Sequence, residues 1–173
     1  MPVTRLNHAV LYVRDVERTV RFYTEVLGFE PTGEGAALKG AAFLRAPGST
    51  NDHDIGLFEV GSDAAASQAG RGSVGLYHLA WEVDTLDELE RFAGVLKGAG
   101  SLVGASDHST TKSLYAKDPD GLEFEVVWMV PAALLDDEAR SGKGILPLDI
   151  AKEKARYGAT TRGGVGISIP APV

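Results

Sequence analysis

The pattern of apolar and polar residues repeats along the chain with an offset of seventy positions. The segment 6–28, LNHAVLYVRDVERTVRFYTEVLG, overlays the segment 76–98, LYHLAWEVDTLDELERFAGVLKG, without a gap. Six positions are identical, and they include His8 with His78 and Gly28 with Gly98. Chance gives one or two such matches, so six in one ungapped register indicate an internal duplication.

Each copy begins with a predicted strand and continues with a predicted helix. Residues 5–13 alternate in polarity and are rich in Val, Leu and Tyr, which is typical of a strand. The apolar residues that follow recur at helical spacing in both copies. The residues placed to cap or end the two helices are Asp15 and Gly28 in the first copy, and Asp84 or Thr85 and Gly98 in the second.

Three short strands are predicted after each helix, separated by Gly, Asp and Pro. They lie near 29–34, 39–46 and 54–60 in the first copy, and near 101–106, 112–117 and 122–129 in the second. The predicted fold class is therefore α+β, with two βαβββ modules that we expect to form a curved mixed sheet around a cavity. The modules cover about 4–61 and about 75–130. The last strands are aligned by Phe58-Glu59-Val60 and Phe124-Glu125-Val126.

The remaining segments divide the chain further. Residues 61–75 are small and polar and form a linker between the copies, within one predicted domain that spans 1–131. The pattern changes after Pro131, and residues 146–157 are predicted to form one amphipathic helix. We expect the extension, 132–173, to pack on the domain or on a partner subunit.

Composition narrows the classes of function. The 173 residues carry a net charge of −7, which disfavours a nucleic-acid partner. The sequence has no run of eighteen apolar residues, so no membrane span is predicted. The N-terminus lacks the basic, then apolar, then small residues of a secretory signal, so a cytoplasmic location is expected. The absence of cysteine excludes disulfides and thiolate zinc sites.

Strand alternation places three metal-binding side chains away from the helices. His8 and His78 occupy the same position of the duplicated first strand, and Glu125 faces the corresponding side of the last strand. Two imidazoles and one carboxylate with open positions suit Fe(II) or Mn(II), and they also suit Zn(II) or Ni(II). A single inward histidine is more often a hydrogen-bonded core residue, but packing alone does not require histidine at both copies of one position.

The sequence resembles the vicinal oxygen chelate superfamily, which includes glyoxalase I, bleomycin- and fosfomycin-resistance proteins and extradiol dioxygenases. The resemblance covers about 4–130 and rests on LNHAVLYVRDVERTVRFYTEVLGF, YHLAWEVD and LYAKDPDGLEFEV. It implies that His8, His78 and Glu125 are the metal ligands. It also implies a homodimer and a small aromatic or carbonyl substrate.

Further motifs resemble the catechol 2,3-dioxygenase branch. The resemblance implies that His53, in Asp52-His53-Asp54-Ile55-Gly56-Leu57, acts as an acid–base beside the metal. It implies that Tyr115, ten residues before Glu125, contacts the substrate and that His108 lies in the loop closing over it. Glu59 points to another branch, because glyoxalase I takes a fourth ligand from the first module and Glu59 shares strand parity with His53.

Three classes of function follow from these residues. The first hypothesis is an Fe(II)-dependent extradiol dioxygenase that cleaves a catechol-like diol, with His53, Tyr115 and His108 as catalytic residues. The second is a glyoxalase-like lyase or isomerase that uses Zn(II) or Ni(II), with Glu59 or Glu125 as base. The third is a non-catalytic protein that binds small molecules, which the intact triad disfavours.

Overall fold

The computed structural model describes residues 2, 3, 5–33, 38–70, 72–142 and 144–164. These residues form two compact units. The first unit contains the described part of 1–67 together with 118–121, and the second contains the described parts of 68–117 and 122–173. No helix in the described ranges has both the length and the apolar character that crossing a bilayer requires.

The first unit contains a four-stranded mixed sheet and one helix. Its elements are β1 (Ala9–Val13), α1 (Val16–Leu27), β2 (Glu30–Pro31), β3 (Ala41–Arg45) and β4 (Ile55–Glu59). The strand order is β1-β4-β3-β2, with β1 and β4 parallel and the other pairs antiparallel. The two strands that the duplication places first and last in the module are therefore neighbours in the sheet.

Helix α1 is bounded by the residues that the sequence predicts. The Asp15 side chain accepts a hydrogen bond from the Arg18 amide, and Gly28 ends the helix with a φ of 77°. The buried face of the helix includes Tyr23 and Leu27. The core residues without solvent exposure on the facing strands are Leu44, Ile55 and Leu57.

The second unit repeats the same topology and adds a fifth strand. Its elements are β5 (His78–Glu82), α2 (Leu86–Gly98), β6 (Leu102–Asp107), β7 (Thr111–Lys117), β8 (Glu123–Met129), α3 (Asp137–Ser141), β9 (Leu146–Pro147) and α4 (Ile150–Tyr157). The strand order is β5-β8-β7-β6-β9, with β5 and β8 parallel. The Thr85 hydroxyl accepts from the Glu88 amide and so caps α2.

The C-terminal extension contributes two elements to the second unit. Strand β9 pairs with the outer edge of β6, and helix α4 packs against α2. The rings of Tyr157, on α4, and Trp128, on β8, lie 5.6 Å apart between centroids. The Trp128 indole also donates to the carbonyl of Thr161, at 3.2 Å.

The structure confirms the α+β class and the mixed strands, with three corrections. The strands form two separate sheets, one for each unit, rather than one sheet. Strand β1 begins at Ala9, four residues later than predicted. The helix predicted over 146–157 begins only at Ile150, because Pro147 lies in β9 and the Asp149 side chain caps the helix by accepting from the Lys152 amide.

Candidate metal centre

His78 and Glu125 lie together on the sheet face of the second unit that turns away from α2. His78 is the first residue of β5, and Ala80, two residues later, is opposite Glu125 on the parallel strand β8. Residues two apart on a strand share a face, so the two side chains point the same way. The distance from His78 Nε2 to Glu125 Oε2 is 3.1 Å, and Glu125 is buried.

This separation suits two neighbouring ligands of one divalent cation. Two ligand atoms about 2.1 Å from a metal and at right angles to each other lie about 3 Å apart. The imidazole nitrogen and the carboxylate oxygen have this spacing. Both are donors that Fe(II), Mn(II), Zn(II) and Ni(II) accept. The two residues therefore fit the ligand role that the sequence predicts for them.

Tyr115 and His108 complete a polar cluster on this face. Tyr115 is opposite Glu125 on the antiparallel strand β7, and its ring centroid is 5.7 Å from that of His78. His108, in the turn between β6 and β7, places Nε2 at 2.9 Å from the Tyr115 hydroxyl oxygen. Burial raises the pKa of the Tyr115 phenol, and the negative charge of Glu125 raises it further. The phenol is therefore neutral at pH 7 and can act as a hydrogen-bond donor.

His8 and His53 are neighbours in the first unit. Their ring centroids are 4.6 Å apart, and the His53 ring also packs on Phe43, at 4.8 Å. His8 Nδ1 lies 2.7 Å from the side-chain oxygen of Asn7. An amide oxygen only accepts, so a neutral His8 that donates from Nδ1 to Asn7 would have its Nε2 lone pair available for a metal.

The first unit has glycine at the position equivalent to Glu125. Val10, which the duplication equates with Ala80, is opposite Gly56 on β4. A Cβ atom at Gly56 would lie 3.2 Å from the Phe43 ring and 3.5 Å from Val10. The alignment of Glu59 with Glu125 is therefore wrong by three residues, and the equivalent position offers no ligand atom.

Glu59 itself lies on the helix side of the sheet. It is opposite Val13, a buried core residue, and its Oε2 accepts a hydrogen bond from the backbone amide of Val16 at the start of α1. The prediction that Glu59 and His53 share a face is wrong, because His53 precedes β4, which begins at Ile55, and strand alternation does not extend to it.

The complete triad remains a prediction. It takes His8 from the first unit and His78 and Glu125 from the second. Within the described part of the chain, no group of three or more His, Cys, Asp or Glu side chains could hold a metal ion. The structure does bring together His78, Glu125, Tyr115 and His108 in one unit, and His8 with His53 in the other.

The second unit contains a cavity near the start of β5 that the sequence does not predict. Its volume is about 460 Å³, and its lining residues are Gly70, Ser73, Gly75, Tyr77 and Glu123. Tyr77 immediately precedes β5 and is 66% exposed. Glu123 is opposite His78 on β8. Because Glu123 and Glu125 are two residues apart on one strand, the sequence could have indicated that Glu123 shares the face of Glu125.

The chain is similar to a family of known proteins. Residues 5–126 match the Glyoxalase/Bleomycin resistance protein/Dioxygenase superfamily. Catechol-2,3-dioxygenase of Bacillus subtilis (strain 168) is 30% identical over 71% of this chain, but the alignment spans only 41% of that protein. A lactoylglutathione lyase of Neisseria meningitidis serogroup A is 29% identical over 71% of this chain and 89% of its own length.

A solved structure agrees in fold. The glyoxylase/bleomycin resistance protein/dioxygenase domain from Frankia sp. EAN1pec has a TM-score of 0.59 at 22% identity, and the match covers 73% of this chain and 92% of that one. The duplicated βαβββ topology and the match over 5–126 agree with the resemblance seen in the sequence. The chain therefore belongs to the Glyoxalase/Bleomycin resistance protein/Dioxygenase superfamily.

Proposed function

We propose that the chain is a metal-dependent extradiol-type dioxygenase that cleaves the ring of a small catechol-like diol. The observation that carries the proposal is Gly56, at the place where the second repeat has Glu125. With glycine there, the first repeat offers no carboxylate at this position, and the proposed ligands are His8, His78 and Glu125 alone. Three protein ligands leave the open positions that a two-oxygen substrate and dioxygen need.

His8, His78 and Glu125 would hold the metal, and Fe(II) would supply the one-electron chemistry that lets dioxygen react with a diol. His53, whose ring lies against His8, would take a proton from a diol hydroxyl and return it later, which suits imidazole near neutral pH. Tyr115, kept neutral by burial and by Glu125, would donate a hydrogen bond to a substrate oxygen. His108 would orient the Tyr115 hydroxyl.

Oxygen uptake tests this proposal directly. The chain is loaded anaerobically with Fe(II) and then mixed with aerated buffer and a panel of substituted catechols. We expect oxygen uptake together with a yellow ring-cleavage product, and loss of both in Glu125→Gln. Samples loaded with Zn(II) provide the matched control, since Zn(II) has no redox chemistry. The proposal is abandoned if Fe(II)-loaded protein consumes no oxygen with any catechol of the panel.

A glyoxalase-like lyase is the second candidate. It is favoured by the lactoylglutathione lyase alignment, which spans 89% of that relative against 41% for the dioxygenase. In such an enzyme Glu125 would move a proton next to a carbonyl, since Glu59 is engaged at the start of α1. Turnover of a thiohemiacetal under argon by the Zn(II)- or Ni(II)-loaded chain would favour this candidate over the dioxygenase.

A further inference from the structure

The second unit contains a fully buried lysine. Lys112 has no solvent exposure, and on β7 it shares the helix-facing parity of Leu114 and Ala116, which are apolar and buried. A buried ammonium is unfavourable unless anions and hydrogen-bond acceptors surround it. Its partners therefore indicate what the charge does in this protein.

The ammonium of Lys112 connects the C-terminal extension to the turn between β6 and β7. Its Nζ lies 2.9 Å from Oε2 of Glu153, which is 2% exposed on α4. It also donates to Asp107 Oδ1, at 2.5 Å, and to the carbonyl oxygen of Ser109, at 3.3 Å. One cation thus binds a helix of the extension, the last residue of β6 and one residue of the turn that follows it.

Asp107 and Ser109, the two residues that Lys112 binds here, flank His108. Asp107 Oδ1 also accepts from the Ser109 amide, and Ser109 has a φ of 70°, which is unusual for a residue other than glycine. The Thr110 amide donates to the His108 carbonyl, at 2.8 Å. These bonds fix the backbone on both sides of His108, whose Nε2 contacts the Tyr115 hydroxyl.

We infer that Glu153 is a positioning residue for the His108–Tyr115 pair and acts through the buried ammonium of Lys112. This inference rests on the proposed function in one respect: the proposed function supplies the substrate that the His108–Tyr115 pair would contact. Buried ion pairs add little net stability compared with apolar side chains of similar volume. The network therefore has its main effect on the geometry of the turn, and the extension outside the family match becomes part of the site.

The test uses the metal-free full chain, so that it needs neither substrate nor activity. Side-chain ¹⁵N shifts of His108 report its contact with Tyr115, and hydrogen exchange of the Thr110 amide reports opening of the turn. The main variant combines Lys112→Met with Glu153→Leu, which replaces the pair by apolar groups. Glu153→Gln is the second variant, and it keeps the shape of the side chain but removes its charge.

The control is Lys154→Met, which removes ion pairs of the same helix with Asp87 and Glu90 on α2 but leaves Lys112 untouched. In the double variant we expect Thr110 exchange to accelerate about tenfold, with a changed His108 shift. In Glu153→Gln we expect a smaller change of the same sign, and in the control none. The inference is overturned if the double variant folds and its His108 shift and Thr110 exchange rate match those of the wild type. If the double variant does not fold, the inference is overturned when Glu153→Gln shows the wild-type shift and exchange rate.

Oxygen uptake separates this inference from the proposed function. If the wild-type chain cleaves catechols, we expect the double variant to lose about tenfold in kcat with little change in KM, because positioning of Tyr115 acts on the reaction step. If the wild-type chain is inactive but the NMR changes occur, the proposed function fails and the positioning role stands. If both variants match the wild type in activity and in NMR signals, the positioning role is rejected and the proposed function stands.

Discussion

Gly56 and Glu125 occupy equivalent places in the two repeats, each opposite a small apolar residue on the neighbouring parallel strand. The first repeat therefore offers a histidine without a carboxylate, while the second offers both. The Phe43 ring lies where a side chain at position 56 would extend. In the proposed metal site, the difference between three and four protein ligands would depend on the residue at position 56, and sequence patterns alone align the wrong residue, Glu59, with Glu125.

Adding a side chain at position 56 tests whether the proposed metal site has three protein ligands. We expect Gly56→Glu to retain bound iron but to lower oxygen uptake with catechols at least about tenfold, because a fourth protein ligand would take a position that substrate or dioxygen needs. Gly56→Ala is the matched control, since it adds the same Cβ against Phe43 without a ligand atom. Equal losses in the two variants would indicate a packing effect and argue against the ligand count.

At the scale of elements, α1 depends on an acidic side chain from β4. Asp15 and Glu59 accept from two different amides of the first helical turn, those of Arg18 and Val16. Negative charge near a helix N-terminus is favourable because the exposed amides there carry partial positive charge. Glu59 thus stabilises the helix that supports β1, the strand following His8.

The two glutamates are therefore expected to behave differently when neutralised. Glu59→Gln should lower the free energy of unfolding by about 0.5–1 kcal/mol and leave metal content unchanged. Glu125→Gln should weaken metal binding at least about tenfold. Urea unfolding and metal analysis after dialysis measure the two effects. Equal loss of metal in both variants would return Glu59 to the ligand set.

The turn between β6 and β7 gives a pH-dependent prediction. Burial raises the pKa of Asp107, but hydrogen bonds from Lys112 and the Ser109 amide, with the charges of Lys112 and Lys152, outweigh it and lower the pKa. A lowered folded-state pKa adds stability above the unfolded value of about 3.9, and this stability is lost as the pH falls further.

We expect Asp107→Asn to be less stable than the wild type at pH 7 and to show a shallower fall in unfolding free energy below about pH 4. Urea unfolding at pH 7, 4 and 3 measures this difference. Asp136→Asn is a useful comparison, because the pKa of Asp136 is also lowered but through a helix cap and Arg156 at the surface. Parallel curves for wild type and Asp107→Asn below pH 4 would contradict the assignment.

At the scale of the molecule, local periodicity predicted both long helices with their N-caps and the Gly28 cap of α1, and most strands within two residues. The predicted end of α2 at Gly98 was wrong by one residue, because Gly98 lies in the helix and Ala99 is its C-cap. Local periodicity gave the wrong register for β4 relative to β8. The connection before β4, 46–54, is longer than the turn before β8, 118–122, so the two strands cannot be aligned by their preceding turns. His53 lies in that longer connection. Lys112 and Glu153 each break an apolar pattern in their own element, but nothing local indicates that the two side chains meet.

Removing the extension tests its contribution to the second unit. A chain that ends after Pro131 loses Glu153 and exposes Trp128, which has no solvent exposure in the full chain. We expect the free energy of unfolding to fall by at least about 3 kcal/mol, as for other broken buried ion pairs. Lys112→Met in the shortened chain should recover part of the loss. Equal stability of the short and full chains would show that α4 is dispensable.

The buried pair of Lys112 and Glu153 also has an evolutionary consequence. The family match ends at residue 126, inside β8, so Glu153, the partner of the lysine, lies beyond the segment that the family model matches. A relative that lacks the last helix but keeps Lys112 would have a lysine without its Glu153 partner. We therefore expect the two positions to be inherited together, and relatives whose chains stop earlier to carry an uncharged side chain in place of Lys112.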